Sequence, residues 1–167
     1  MKLEKLIGDL LRKKGWTLSI AESCTGGLIC DRITNIPGSS DYFEGGMVTY
    51  SIRAKARHLA IPLAYIEKHD PVSSEVARRM ALGVRMAFRT TLGLSITGIA
   101  GPTGGTPQRP VGRVFIAMAH GKRTWLRKLS LKGSRQKIKR EAAQESLKFL
   151  YEYLRCVCKQ PSPSCRT

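Results

Sequence analysis

Ser23 and Cys24 are the residues of this sequence whose types and positions best suit nucleophilic chemistry. They lie in residues 21–27, between residues 16–20, which the pattern predicts as a short buried strand, and residues 28–33, which it predicts as a helix. A side chain at such a turn lies beside the unpaired N–H groups of a helix N-terminus, which can stabilise a phosphate or a developing oxyanion. The two glycines of the segment allow a ligand to approach the backbone closely. Ser23, or alternatively Cys24, is therefore the candidate nucleophile.

A serine hydroxyl is a weak nucleophile, and the sequence offers Lys55 as the base that would activate it. The three histidines are scattered along the chain, and none is placed for this role: His58, His69 and His120. A lysine that is withdrawn from water has a lowered pKa and can accept a proton, with Tyr50 to orient or relay it. Ser23, Tyr50 and Lys55 form a coherent set for hydrolysis of an amide. Cys24 with a histidine base is the weaker alternative.

Three hydroxyl side chains are predicted to meet at one edge of a sheet. Ser23, Tyr50 and Thr97 each fall at or near the C-terminal end of a predicted strand. Ligands of open α/β sheets gather where strands end. If the three strands are parallel neighbours, the hydroxyls converge on one rim, which Lys55 can also reach.

The same rim has groups that would suit an anionic substrate. The backbone after Ser23 and the Gly-, Thr- and Pro-rich residues 98–110 offer N–H groups, although no Gly-Lys-Ser/Thr follows, so this is not a P-loop. An arginine at the start of the last predicted helix can pair with a phosphate or a carboxylate. An ordinary long turn and an exposed arginine remain the alternatives. The candidate substrate-binding residues are Thr25, Gly26, Gly27, Thr97, Gly98, Gly101 and Arg135.

The order of the elements that position these residues predicts an α/β fold. Helices are predicted at 3–14, 28–33, 53–59, 73–88 and 134–154, and strands at 16–20, 46–50, 92–97, 111–119 and 124–131. Gly15 ends the first helix, and Ser73 or Ser74 caps the long central one. A hairpin at residues 120–123 makes the sheet mixed, although mostly parallel. We expect one domain over residues 1–158 and a disordered tail at 159–167.

The composition is strongly basic, with 29 Lys and Arg against 12 Asp and Glu and a net charge of +17. Nucleic acid is the first partner to consider for such a chain. The charges are spread along the sequence, thickening between residues 122 and 140, and no groove-reading motif is present. We therefore expect an anionic small molecule as substrate and no specific nucleic-acid partner.

Other classes of protein are excluded by pattern and spacing. No apolar run approaches the ~20 residues of a membrane span, and the N-terminus predicts a charged amphipathic helix, so we expect a cytoplasmic protein without a membrane partner. Three of the five cysteines cluster near the C-terminus without a nearby histidine: Cys156, Cys158 and Cys165. This is a poor match to zinc-ligand spacing, and an odd count argues against a disulfide framework. We expect neither a metal site nor a cofactor.

Several of these segments, taken in order, resemble the CinA C-terminal domain family. The resembling segments are residues 21–27, 37–40 with Phe43, 46–51 with Ala54 and Lys55, 72–73, 80–83, 95–102 and 110–112. The resemblance runs from about residue 5 to about residue 154, which is nearly the whole chain.

The resemblance implies a three-layer α/β/α fold with a mixed sheet. For members that stand alone it implies a nicotinamide-nucleotide amidase, which converts nicotinamide mononucleotide (NMN) to nicotinic acid mononucleotide and ammonia without a metal. Residue by residue, Ser23 matches the nucleophile, Lys55 the general base and Tyr50 an assisting hydroxyl. Arg135 resembles the arginine of the family's Gly-Asp-Arg turn, although Ser134 stands where aspartate is common.

A second class of function stays open at this point. The chain can instead be a basic anion- or nucleic-acid-binding module that keeps the fold without activity. The sequence leaves the choice among related amides open, and it equally permits a homo-oligomer.

Overall fold

The computed structural model describes residues 2–158 as six α-helices and five β-strands. The helices are α1 Leu3–Lys14, α2 Leu28–Thr34, α3 Ile52–Leu59, α4 Leu63–His69, α5 Ser74–Ala87 and α6 Arg135–Cys158. The strands are β1 Leu18–Glu22, β2 Phe43–Val48, β3 Leu92–Gly98, β4 Arg113–His120 and β5 Arg123–Ser130. The predicted tail at residues 159–167 lies outside the described residues.

The five strands form one open sheet in the order β2-β1-β3-β4-β5. Strand β1 pairs in parallel with β2 and with β3, so that Glu22 lies opposite both Val48 and Ile96. Strand β4 runs antiparallel to β3 and to β5, so four of the five strands share one direction. The predicted mixed α/β sheet is confirmed, and the C-terminal ends of three neighbouring parallel strands meet at one edge.

Helices cover both faces of the sheet, which gives three layers. Along β4, Ile116 packs in a core with α1, α2 and α6, while Ala117 points to the opposite face and packs against α5. This alternation is the period-two pattern of a strand that is buried on both faces. Helices α3, α4 and α5 form a further apolar cluster with β1 on the α5 side.

Two glycines bring α5 into close contact with its neighbours. A Cβ atom at Gly83 would strike the backbone carbonyl of Leu59 in α3, and one at Gly93 in β3 would strike that of Ala81. Because no side chain separates them, α3 lies tightly against α5 and α5 tightly against the sheet. This packing sets the depth at which α3 lies beneath the edge of the sheet.

The structure shifts some predicted boundaries and adds one helix. Strand β1 begins and ends two residues later than predicted, so Ser23 follows it directly. Strand β2 begins at Phe43 and ends at Val48, which leaves Tyr50 beyond the strand. Helix α4 was not predicted, because its apolar pattern is short and only Ile66 is buried. The predicted caps are confirmed at Gly15, with φ 62°, and at Ser73, whose hydroxyl accepts from the Val76 N–H.

Candidate active site

A pocket of about 280 Å³ lies at the edge where the parallel strands end. Lys55 of α3 lines this pocket. Five other predicted site residues line it as well: Ser23, Tyr50, Thr97, Gly98 and Arg135. They come from four separate parts of the chain, because Thr97 and Gly98 both end β3. The predicted convergence of Ser23, Tyr50 and Thr97 on one rim therefore matches the geometry of the pocket.

Ser23 and Lys55 meet at the floor of this pocket. Lys55 Nζ lies 3.0 Å from Ser23 Oγ, and the two residues are only 2% and 7% exposed. Burial disfavours the charged ammonium and lowers the pKa of Lys55 to about 8. Roughly a tenth of Lys55 is therefore neutral at pH 7 and able to accept a proton from the serine hydroxyl, and this fraction grows as the pH rises toward 8.

Local structure orients the Lys55 amine toward Ser23. Ser51 caps helix α3, its hydroxyl accepting from the Ala54 N–H, and Lys55 lies one turn later on the buried side of the helix. Its Nζ also donates to the backbone carbonyls of Thr49 at 2.8 Å and Tyr50 at 3.4 Å. A neutral amine that donates its two hydrogens to these carbonyls has its lone pair left for the Ser23 O–H.

Cys24 lies beside Ser23 but in a setting that keeps its thiol protonated. Burial raises the pKa of Cys24 to about 12, although the nearby Lys55 and Lys139 charges oppose this rise. None of the histidines of the described residues lines the pocket. His120 instead shares a 2.7 Å hydrogen bond with the Tyr153 hydroxyl. The structure therefore offers no histidine base for a cysteine nucleophile.

The buried carboxylate of Glu22 occupies most of the helix donors that we expected to be free. Its oxygens accept from the backbone N–H groups of Gly27, Ile29 and Cys30 at 2.8–3.0 Å. The Gly26 N–H bonds to the Ser23 carbonyl. The expectation that N–H groups up to Gly27 face an anion is corrected here, because a carboxylate from β1 accepts from the Gly27 N–H and from two N–H groups in the first turn of α2.

Two donors of the turn remain. Within the described residues, no acceptor receives the backbone N–H groups of Cys24 and Thr25. The Cys24 N–H belongs to the residue after the candidate nucleophile, which is where nucleophile turns of α/β hydrolases place an oxyanion donor. Thr25, Gly26 and Gly27 themselves lie outside the pocket lining, and the Thr25 hydroxyl is buried without a hydrogen-bond partner among the described residues.

Tyr50 and Arg135 form the mouth of the pocket. Tyr50 is 59% exposed, and its hydroxyl accepts from the Arg135 guanidinium at 2.7 Å. The same guanidinium donates to the Gly101 carbonyl at 2.7 Å. Within the described residues the Tyr50 hydroxyl has no hydrogen bond to Ser23 or Lys55, so the structure links it to the arginine at the rim.

The remaining predicted residues shape the wall of the pocket. The Thr97 hydroxyl donates to the Pro71 carbonyl at 2.8 Å and so fastens the segment before α5 to the end of β3. A Cβ at Gly98 would lie 2.7 Å from Val114 Cγ2 and 3.1 Å from Cys24 Sγ, so only glycine fits this position. Gly101 lies outside the lining and acts through its carbonyl on Arg135.

Some residues of the site were missed by sequence reasoning. Ser51, Ile52, Pro71, Val72 and Ala100 also line the pocket, and they are adjacent to residues already singled out. Glu22 had a usable signal, because a carboxylate inside a buried strand just before a helix start needs a partner of this kind. Among the described residues no group of three His, Cys, Asp or Glu side chains could hold a metal ion. No helix within residues 2–158 is long and apolar enough to cross a membrane.

Fold and site together define a three-layer α/β protein with a buried serine–lysine pair in a pocket at the strand ends. The model of the CinA C-terminal domain matches residues 1–154. The chain belongs to the CinA C-terminal domain family, as its resembling segments indicated.

Relatives and solved structures of the same family agree with this assignment. A CinA-like protein of Syntrophus aciditrophicus is 49% identical over 91% of this chain, and one of Citrifermentans bemidjiense is 48% identical over 92%. The chain spans 36% and 37% of the length of these two relatives. The crystal structure of competence damage-inducible protein A from Klebsiella pneumoniae superposes with a TM-score of 0.88 at 27% identity, covering 91% of this chain and 94% of that one. Protein CihA from Agrobacterium tumefaciens gives 0.84 at 32% identity, covering 92% and 95%.

Proposed function

We propose that this protein is an amidohydrolase that converts NMN to nicotinic acid mononucleotide and ammonia. The observation that carries the proposal is the buried contact between Lys55 Nζ and Ser23 Oγ, with the lowered pKa of Lys55. A serine activated by a desolvated lysine is a means of cleaving an amide without a metal. The family resemblance supplies the substrate, and the basic surface suits an anionic nucleotide.

In the acylation step, neutral Lys55 accepts the Ser23 proton while Oγ attacks the carboxamide carbon. The Cys24 N–H is the candidate donor to the oxyanion that develops on the former carbonyl oxygen. The Lys55 ammonium then gives its proton to the amide nitrogen. The C–N bond breaks, ammonia leaves, and the nicotinoyl group stays on Ser23 as an ester.

In the deacylation step, Lys55 accepts a proton from water, which attacks the ester carbon. The bond to Ser23 Oγ breaks, and the proton on Lys55 returns to the serine. The product is a carboxylate, and the enzyme is back in its starting state. One lysine therefore acts as base and acid in each half of the reaction.

The polar groups at the mouth would hold the rest of the substrate. Arg135 lines the pocket, and within residues 2–158 its side-chain partners there are the uncharged groups of Tyr50 and Gly101. A substrate phosphate at this position would give the guanidinium an anionic acceptor, and charge-assisted hydrogen bonds are stronger than neutral ones. Tyr50 then acts as a support for Arg135.

Detection of the acyl-enzyme tests this proposal. The protein is mixed with NMN, quenched in acid within the first turnovers, and its intact mass measured. We expect an adduct equal to NMN less ammonia, retained in Cys24→Ala and absent in Ser23→Ala. An adduct that disappears in Cys24→Ala and persists in Ser23→Ala would exclude the serine mechanism.

A further inference from the structure

Lys139 is a cation beside the turn of Ser23, just outside the residues that line the pocket, and the proposed chemistry does not use it. Its Nζ lies 3.4 Å from the position that a Cβ atom would occupy at Gly26, in the turn that carries Ser23. Gly26 has φ +66°, and its missing side chain leaves that space open. The Lys139 charge also reaches the pocket electrostatically, because it opposes the burial that raises the pKa of Cys24.

Lys139 and Arg135 form one cationic face. They lie four residues apart in α6, so their side chains project from the same side of the helix. Within the described residues neither makes an ion pair with a carboxylate, whereas Lys137, about 200° around the helix from Arg135, pairs with Glu141. The nearest buried acid to the turn, Glu22, is already satisfied by three backbone N–H groups.

We propose that Lys139, together with Arg135, binds the phosphate of the substrate and makes the enzyme select nucleotides over nucleosides. A phosphate monoester carries close to two negative charges at neutral pH, which matches two cations without acidic partners. The pocket joins Ser23 to Arg135, so an amide at the serine places an anionic group of the same molecule at this face. Arg135 offers a planar fork and Lys139 a compact charge, and both suit phosphate oxygens.

This inference rests on the proposed function for the identity of the substrate, and binding of the product tests it separately from catalysis. Calorimetric titration compares nicotinic acid mononucleotide with its riboside, which lacks only the phosphate. We expect Lys139→Gln to weaken nucleotide binding by at least about tenfold and to leave riboside binding within about twofold, since a charge-assisted hydrogen bond is lost. Lys139→Arg keeps the charge and should stay within about threefold of the unchanged protein.

Lys137→Gln is the matched control, because it removes a lysine two residues away that pairs with Glu141 outside the pocket. Equal weakening in Lys137→Gln and Lys139→Gln would overturn the proposal, as would a nucleotide that binds no better than its riboside to the unchanged protein. If NMN is not hydrolysed but nucleotide binding is lost in Lys139→Gln, the proposed function fails and the phosphate site stands.

Discussion

At the residue scale, Lys55 is placed where a charged side chain is costly. It is 2% exposed, and its nearest polar partners are a hydroxyl and two carbonyls, with no carboxylate within ion-pair distance among the described residues. An amine without a carboxylate partner loses hydration on burial and gains little in return. Such an arrangement serves poorly as a structural contact and well as a base that works near neutral pH.

The pH dependence of turnover follows from this burial. The pKa of Lys55 is lowered to about 8, so the neutral, active form grows as pH rises through that value. We expect kcat/KM for NMN to rise about tenfold per pH unit below the apparent pKa and to level off above it. A profile that falls between pH 7 and 9 would contradict a lysine base.

Lys55→Arg provides the matched variant for that profile. Its guanidinium keeps the positive charge but does not deprotonate at working pH, so we expect turnover to fall by at least about 10²-fold across the range. A Lys55→Arg enzyme with near-normal turnover would exclude Lys55 as the base.

At the element scale, Glu22 joins β1 to the N-terminus of α2. A single carboxylate satisfies three backbone N–H groups there, and it sits at the residue before Ser23. The serine is therefore held between a strand that ends at Glu22 and a helix whose first turn Glu22 caps. This link sets the position of the turn more firmly than the glycines alone would.

Glu22→Gln tests the contribution of that link to stability. The substituted amide has one acceptor oxygen, and its NH₂ group would face a backbone N–H, so we expect a loss of about 1–3 kcal/mol in the free energy of unfolding. Glu44→Gln, at an exposed position of the edge strand β2, is the control and should change stability by less than about 0.5 kcal/mol. Denaturant unfolding at neutral pH measures both, and equal stability of the two variants would contradict the role of Glu22.

The sequence predicted the elements whose signals are local. The turn at Ser23, the cap at Ser73 and the strand–loop at Thr97 are each marked by residue types within a few positions of one another. Helix α4 has too few buried residues to show a period. The start of β2 was not predicted, because Gly45 and Gly46 have no side chains and so interrupt the alternation of apolar and polar residues that marks a strand.

Long-range partners of the site were beyond the reach of local pattern. Lys55 meets Ser23 across 32 positions of chain, and Arg135 meets Tyr50 across 85. The positions of the strand ends suggested the first pair and the family resemblance assigned its roles, but nothing in the sequence indicated that the Tyr50 hydroxyl would bind Arg135. The same holds for Lys139, whose position over Gly26 depends on how α6 crosses α2.

At the scale of the whole molecule, the net charge of +17 is spread over the surface and does not mark one groove. The cations that face the pocket are few, and many others lie on α1, α3 and the edge strand β5. A diffuse field of this kind speeds the arrival of an anionic substrate and attracts polyanions without regard to sequence.

Duplex DNA therefore should bind weakly and without sequence preference. Because such binding depends on counterion release, we expect affinity for random and candidate-site duplexes to fall together, by roughly 10³-fold or more between about 50 and 200 mM salt. Fluorescence anisotropy with both duplexes at the two salt concentrations measures this. Sequence-selective binding that survives the higher salt would favour the alternative, a binding module that keeps the fold without activity.

The measurement that tests the central claim most directly is ammonia release from NMN by the purified protein after exhaustive treatment with EDTA. We predict one ammonia and one nicotinic acid mononucleotide for each NMN consumed, at an unchanged rate after chelation, with Ser23→Ala inactive. Absence of ammonia, or activity that is lost on chelation and restored by zinc, would contradict a serine–lysine amidase.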